Sequence, residues 1–354
     1  QLFTELTGAT RVGLDDSFFA LGGHSLLAMR LISLLKTRKG LEIALRTLFE
    51  YPTVTDFAAQ LTNVPTQRSY QPLLPLNRAG TLPALFCFPP AGGTSTVYKN
   101  LSEELGKNHP LWGLQARGVD DDENWSDQSV VDAASTYVKA ITAVQPSGPY
   151  YLMGVSLGGT IAHEAAVQLE ARGDTVAKVF LLDTVVRYEQ LEDTAKSEND
   201  MMLEHLKAGL RDMTDATEHD LPPDLDDLLS LFQQKWEELG MIPVGTPKAF
   251  VMRALKNSLG SSDLTKGHTP NRCQAEIIYF KATEVSDQNA PADELFNWQP
   301  YTERPLRAYD VPASHAQLLW KPESYKIIAK VVSETMSTDI QRIHALRHAS
   351  RAPS

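Results

Sequence analysis

The spacing of apolar residues changes character along this chain, and each change marks a different kind of structure. Leu26, Leu27, Leu31, Leu34 and Leu35 recur at helical intervals. Ser25 opens that helix, and Lys36, Arg38 and Lys39 ahead of Gly40 suit its end. Leu2, Phe3 and Leu6 fit the end of an earlier amphipathic helix, a helical turn is expected over 44–49, and Thr53-x-x-Asp56 has the form of a capping box for a last helix through Leu61. Phe18 and Phe19, in the loop between, can fill the small core these helices enclose. The pattern predicts a small all-α, four-helix domain over residues 1–62. Residues 63–75 contain Pro65, Pro72 and Pro75 with few apolar anchors and read as a partly stiffened linker. From residue 76 short apolar runs at 84–88, 111–115, 150–154, 179–183, 276–281 and 306–311 alternate with helical patterns, notably 129–144, 157–172 and 325–336. Strand alternating with helix predicts a mainly parallel sheet covered on both faces.

One interruption breaks this rhythm. Between Asp183 and Glu276 more than ninety residues pass without a strand pattern, with Leu- and Met-rich helical runs at 201–210, 225–239 and 250–259. An excursion that long is expected to be a lid, about 186–270. It is also where the charge lies: residues 186–240 hold fifteen acidic and five basic side chains, whereas residues 1–62 hold six of each. The formal net charge of −11 argues against a nucleic-acid partner. No apolar run approaches ~20 residues, so no membrane span is expected. Cys87 and Cys273 form no C-x-x-C pair, and Cys87 in an apolar run reads as a reduced core thiol. No secretion signal is visible, and Gln1 reads as a cut inside a longer protein. The expected setting is cytoplasmic. Residues 337–354 form a tail with Ile340, Ile343 and Leu346 at helical spacing.

The candidate chemistry centres on Gly154-Val155-Ser156-Leu157-Gly158. An apolar run precedes it and a helical run follows it, the strand–turn–helix context in which Gly-x-Ser-x-Gly presents a nucleophile. A serine at so sharp a turn needs small neighbours two positions away. It also needs a base and a carboxylate to orient the base. Asp183 ends an apolar strand, where a charge belongs at the site edge of a parallel sheet; Glu284, Asp287 and Asp293, after the 276–281 strand, are alternative acids. Of nine histidines, His315 sits on a loop after a late strand, either as the base or as a turn residue, whereas His163, inside the helix after Ser156, reads as a packing residue. The order Ser156, Asp183, His315 is that of an α/β hydrolase. An oxyanion needs two backbone N–H donors. Leu157 supplies one, and the loop Pro89-Pro90-Ala91-Gly92-Gly93 the other, through Ala91 because Pro90 has no N–H.

Two resemblances join these pieces. Asp16-Ser17-Phe18-Phe19 and Leu21-Gly22-Gly23-His24-Ser25-Leu26 resemble the peptidyl carrier domain of nonribosomal peptide synthetases, which implies 4′-phosphopantetheine attached covalently to Ser25 by a phosphopantetheinyl transferase. Phe88-Pro89-Pro90-Ala91-Gly92-Gly93, Trp112 through Gly118, Gly148 through Gly159 and Leu181-Leu182-Asp183-Thr184 resemble the terminal thioesterase domain of the same synthetases. The resemblance implies an α/β-hydrolase domain with a helical lid over 76–336, the triad Ser156, Asp183 and His315, upstream synthetase domains in the same protein, and a carrier–thioesterase contact in cis. It departs from its relatives at Ala313, where Gly often stands two before the histidine. The expected activity is release of a carrier-bound peptidyl thioester, by hydrolysis or macrocyclisation. A polyketide or hybrid release domain is an alternative that His24 and the 112–118 run disfavour, and an inactive hydrolase used as a scaffold is one that the intact triad disfavours. No metal is expected. Phe232, Trp236, Phe250, Trp298 and Tyr301 fit either a pocket lining or the core.

Overall fold

The computed structural model describes all of the chain except residues 24, 42, 44, 62–69, 118, 120–126, 187–197, 215–216, 239–241, 243–245, 247, 285–296 and 350–354. The helical period of the first segment produces α1 (Leu2–Thr7), α2 (Ser25–Lys39), α3 (Leu45–Glu50) and α4 (Val54–Leu61). Gly8 ends α1 and Gly40 ends α2, both in the left-handed region at φ 71° and 65°. The capping box forms as its sequence requires: the Asp56 N–H donates to the Thr53 hydroxyl at 3.1 Å, and that hydroxyl donates to the Asp56 carboxylate at 2.8 Å. Phe3, Phe18, Leu31, Leu48 and Phe57 fill the core, with the Phe3 and Phe18 rings edge to face at 4.9 Å.

The second segment builds a seven-stranded sheet from β1 (Leu73–Asn77), β2 (Leu85–Phe88), β3 (Leu111–Leu114), β4 (Tyr150–Val155), β5 (Val176–Leu182), β6 (Glu276–Ala282) and β7 (Arg307–Val311), in the order β1-β3-β2-β4-β5-β6-β7. β1 is antiparallel to β3 and every other pairing is parallel. The linker expectation is corrected here: residues 73–75 belong to β1. Its prolines disguised it, because an edge strand needs N–H groups on one side only and so tolerates them. Successive residues of β4 enter opposite cores. Tyr150 and Leu152 join α6 (Val130–Val144) and α7 (Leu157–Ala171), while Tyr151, Met153 and Val155 join α5 (Lys99–Leu105) and α11 (Pro322–Ala349). Burial on both faces explains why the strand reads as a continuous apolar run.

The expected tail does not begin at 337. α11 continues to Ala349 because its next turn is anchored: Asp339 receives the Lys178 ammonium at 2.6 Å, and Lys178 in turn lies 3.3 Å from Glu276, which Arg307 approaches at 2.7 Å. The excursion folds as helices close to those expected, α8 (Glu198–Met213), α9 (Leu225–Glu238) and α10 (Lys248–Ser261). Met202, Leu206, Leu228, Phe232, Val251 and Leu255 give it a core of its own, separate from both sheet faces. No described helix is long and apolar enough to cross a membrane.

Two expectations follow. A lid with its own core opens as a unit, so amides in α8–α10 should exchange with solvent faster than those in β4 and β5, as hydrogen exchange would show; equal protection would contradict this. The second concerns His163, wholly buried on α7 with Nε2 3.0 Å from the Tyr301 carbonyl and its ring 4.9 Å from that of Trp298. Burial lowers its pKa to about 4. The unfolded chain therefore binds a proton between the ordinary value near ~6.5 and 4 that the folded chain refuses, so this residue removes stability as pH falls through that window. His163→Leu should flatten the decline in melting temperature between pH 7 and 4.5; an unchanged slope would refute the assignment.

Candidate active site

Ser156 sits at the junction of β4 and α7 with φ 56° and ψ −130°. A residue with a Cβ holds that conformation only when its surroundings force it. They do so here by close packing. A Cβ on Gly154 would collide with the Gly158 carbonyl, and one on Gly158 would lie 2.5 Å from the Phe88 carbonyl oxygen. The strand, the helix and the end of β2 thus meet backbone to backbone. The Ser156 N–H donates to the Leu182 carbonyl at 3.0 Å, tying the turn to the end of β5.

Asp183 follows Leu182 directly, also at positive φ (45°). Its N–H donates to Phe280 O at 2.8 Å, and its Oδ1 accepts from the Ala282 N–H at 3.1 Å, so β6 holds the residue by its backbone and by its carboxylate. Its Oδ2 lies 2.7 Å from His315 Nδ1. His315 stands on the loop after β7, which is pinned where the Glu284 N–H donates to Ala313 O at 3.1 Å. Ala313 is fully buried, so the missing glycine does not open this loop. The histidine side chain is 46% exposed and the aspartate 10%, which puts the pair at the rim of the sheet with the ring reachable from solvent. Among the other acids, Glu284 faces Lys321 at 2.6 Å, while Asp287 and Asp293 lie outside the described residues.

The loop that holds Ala91 turns between Pro90 and Gly93, where the Gly93 N–H donates to Pro90 O at 2.8 Å and Gly93 takes φ 82°. Leu157 is the first residue of α7. Leu157 thus follows Ser156 directly, and the loop that holds Ala91 begins beside the same turn, because Gly158 packs against the carbonyls of Phe88 and Pro89.

Two positioning residues have no signal in the periodicity. Tyr98 ends a 3-10 turn, Thr96–Tyr98, and is fully buried. Its hydroxyl donates to Phe88 O at 2.7 Å and accepts from the Val155 N–H at 2.9 Å. One group thereby braces the start of the Ala91 loop against the residue before Ser156. Burial pushes its phenol well above the ordinary range, so it stays a donor. Trp298 does the equivalent behind the acid, donating from Nε1 to the Thr184 carbonyl at 2.7 Å. Trp298 and Tyr301 pack against the main core, and the Phe232 and Trp236 rings pack 4.7 Å apart, tilted by 53°, within the lid, so packing accounts for these four aromatics; the Phe250 side chain is outside the described residues. Cys87 is buried and its thiol pushed far up, as a core residue. Among the described residues no cluster of His, Cys, Asp and Glu could hold a metal ion.

Ser25 is the first residue of α2, behind Gly22 at φ 93°. The Gly23 N–H donates to Phe18 O at 2.9 Å, and a Cβ there would run into the Phe18 ring. The turn is closed tightly against the helix start, where helix amides and dipole favour a phosphate attached at residue 25. His24 lies outside the described residues.

Comparison with known proteins agrees with this anatomy. A family model described as thioesterase domain matches residues 83–331, and one described as phosphopantetheine attachment site matches residues 1–61. A dimodular nonribosomal peptide synthase of Bacillus subtilis is 33% identical over 334 residues, covering 94% of this chain and 14% of that protein. Malpinin synthetase of Mortierella alpina is 33% identical over 343 residues, 95% of this chain and 4% of its own length. The chain thus spans a small fraction of these relatives. Among solved structures, holo-AB3403, a four-domain nonribosomal peptide synthetase, superposes with TM-score 0.63 at 24% identity over 94% of this chain and 25% of that one. The Vlm2 thioesterase domain does so with TM-score 0.55 at 22% identity over 74% and 96%. The phosphopantetheine attachment site thus precedes the thioesterase domain along this chain, and the chain belongs to the thioesterase-domain family.

Proposed function

We propose that the chain releases a peptidyl group from its own carrier through an ester on Ser156, at the end of a nonribosomal peptide synthetase. The observation that carries this is the 2.7 Å contact of Asp183 Oδ2 with His315 Nδ1, made at the same sheet edge as the turn that holds Ser156 at positive φ. Phosphopantetheine on Ser25, added by a phosphopantetheinyl transferase, holds the peptidyl group as a thioester supplied by upstream domains of the synthetase.

Because Asp183 engages Nδ1, the other ring nitrogen, Nε2, takes the Ser156 proton. The serine oxygen bonds to the thioester carbon, and the C–S bond breaks as the histidine returns the proton to the leaving sulfur. Between these events the carbonyl oxygen carries negative charge, which the backbone N–H groups of Ala91 and Leu157 receive. In the second half, water or a hydroxyl or amine within the peptide loses a proton to His315, attacks the ester carbon and regenerates Ser156 as the product leaves. Water gives the free acid; an internal nucleophile gives a macrolactone or macrolactam, and that route requires the lid to exclude water. Asp183 orients the ring and stabilises its charged form throughout.

Intact-protein mass spectrometry tests this directly. Ser156→Ala, modified at Ser25 and loaded with a peptidyl group, should retain that group while the parent loses it. Ser25→Ala should fail to gain the phosphopantetheine mass yet still hydrolyse a small soluble thioester. Discharge by Ser156→Ala at the parent rate would overturn the reading. Asp183→Asn should lower turnover by roughly 10⁴-fold, as loss of the orienting carboxylate does in such triads; a mild effect would move the acid elsewhere. Tyr98→Phe leaves a buried N–H and carbonyl unpaired beside the nucleophile, a loss of about 1–3 kcal/mol. It should lower kcat for a soluble thioester by about 10-fold with KM little changed, because ~1.4 kcal/mol of barrier is a factor of ten. A parent-like kcat would show that the brace does not position Ser156.

A further inference from the structure

Among the described residues, two contacts hold the carrier against the sheet domain, and both lie at the end of the sheet that holds Ser156. The first is an arginine fork. On α3, Arg46 donates from Nη1 to the Gln71 carbonyl and from Nη2 to the Leu73 carbonyl, while Glu50, one turn on, receives its Nε at 2.7 Å. Those two carbonyls face outward for a reason that lies in the strand. The Pro72 carbonyl between them accepts the Gln115 N–H at 2.7 Å, so by the alternation of an extended chain its neighbours point away from β3 to the open side of the sheet. An unpaired sheet edge is a standing template for other chains, and Arg46 closes the start of this one from the carrier. The second place is a cation over a ring. Lys99 Nζ stands 5.0 Å from the centre of the Phe19 ring, which stacks on Phe49 at 4.8 Å and 25°. Lys99 is buried, and Glu103 receives its ammonium at 2.6 Å.

The positions of these contacts matter more than their strength. Leu73 pairs with Leu114, the carboxyl end of β3. Lys99 follows Tyr98, whose hydroxyl braces the carboxyl ends of β2 and β4. On the carrier, Phe19 belongs to the loop that leads into Ser25, and the Gly22 N–H donates to its carbonyl at 3.2 Å. The loop that presents Ser25 is therefore the part of the carrier held against the helix that follows the Ala91 loop.

We propose that this contact is the dock from which the carrier delivers its peptidyl group to Ser156, with Arg46 and Phe19 on the carrier recognised by the β1 edge and Lys99 on the thioesterase. The inference rests on the release reading above. The described contacts of the dock are polar and aromatic groups, which suits a carrier that must also leave for upstream partners. The fork has a specific consequence: Lys cannot donate to both carbonyls at once in the fixed geometry of the planar guanidinium, so Arg46→Lys keeps the charge and loses the geometry.

The test combines Arg46→Met with Lys99→Met in the full chain and reads two quantities. In the protein without phosphopantetheine, ¹⁵N relaxation of carrier amides should show the carrier tumbling with the whole chain in the parent and as a separate small domain in the double variant. In the loaded protein, single-turnover discharge from Ser25 should slow by ~10-fold or more, because the dock raises the effective concentration of the thioester at Ser156. Hydrolysis of a soluble pantetheine thioester, which needs no dock, should match the parent. Arg46→Lys should fall between parent and double variant in both readouts. Uptake of phosphopantetheine at the parent rate verifies that the variant carriers are folded. Unchanged tumbling overturns the proposal, and so does a freed carrier that discharges as fast as the parent. A parent that cannot hydrolyse the soluble thioester would instead overturn the release reading, and the dock with it.

Discussion

Asp183 and His315 meet at 2.7 Å only because three strand ends are in register. β5 delivers the aspartate, β6 fixes it through Phe280 O and the Ala282 N–H, and β7 delivers the histidine loop, itself tied to the end of β6 through Glu284. The two bonds between Asp183 and β6 lie in a buried setting, where such groups are costly to leave unpaired. The positive φ of Asp183 and of Ser156 is held by the same framework. A slip of one residue in β6 against β5 would reverse which side chains face the helices and would break the carboxylate's second contact. The sheet is thus a jig for the site, and the two apolar layers that cover it act on the chemistry by keeping it in register.

The excursion between β5 and β6 stands apart from this jig in composition and in packing. Its own core lets α8–α10 shift without unpacking the sheet, while its surplus of acidic residues keeps the outer surface hydrated. Its α10 lies near the site: a Cβ on Gly92 would come within 3.9 Å of the Ala254 carbonyl, so α10 passes over the loop that holds Ala91. On the proposed release reading, a lid placed there controls which nucleophile reaches an ester on Ser156, water or the far end of the peptide.

The parts legible in the sequence are those in which one residue type is forced by local sterics or by burial. Gly154 and Gly158 announced the turn because no other side chain fits between those backbones. Asp183 stood out as a charge ending an apolar strand, and His315 as a loop histidine after a late one. The helices of the lid followed from period alone. What escaped was long-range. β1 hid behind Pro72 and Pro75, since strand patterns penalise proline while an open edge does not. Tyr98 and α5 gave no sign, because a hydroxyl bridging Phe88 and Val155 leaves no trace in periodicity. The continuation of α11 depends on Lys178, more than a hundred and fifty residues away in the chain. The arginine fork of the carrier was equally invisible, because its partners are carbonyls, which every residue has.

Release through Ser156 requires an activated nucleophile at that turn. The most direct measurement is reaction of the intact chain with a fluorophosphonate, followed by mass mapping of the modified peptide. A single adduct is expected, on the peptide containing Ser156, and it disappears in Ser156→Ala. No adduct, or one on another serine such as Ser314 that survives Ser156→Ala, would contradict it.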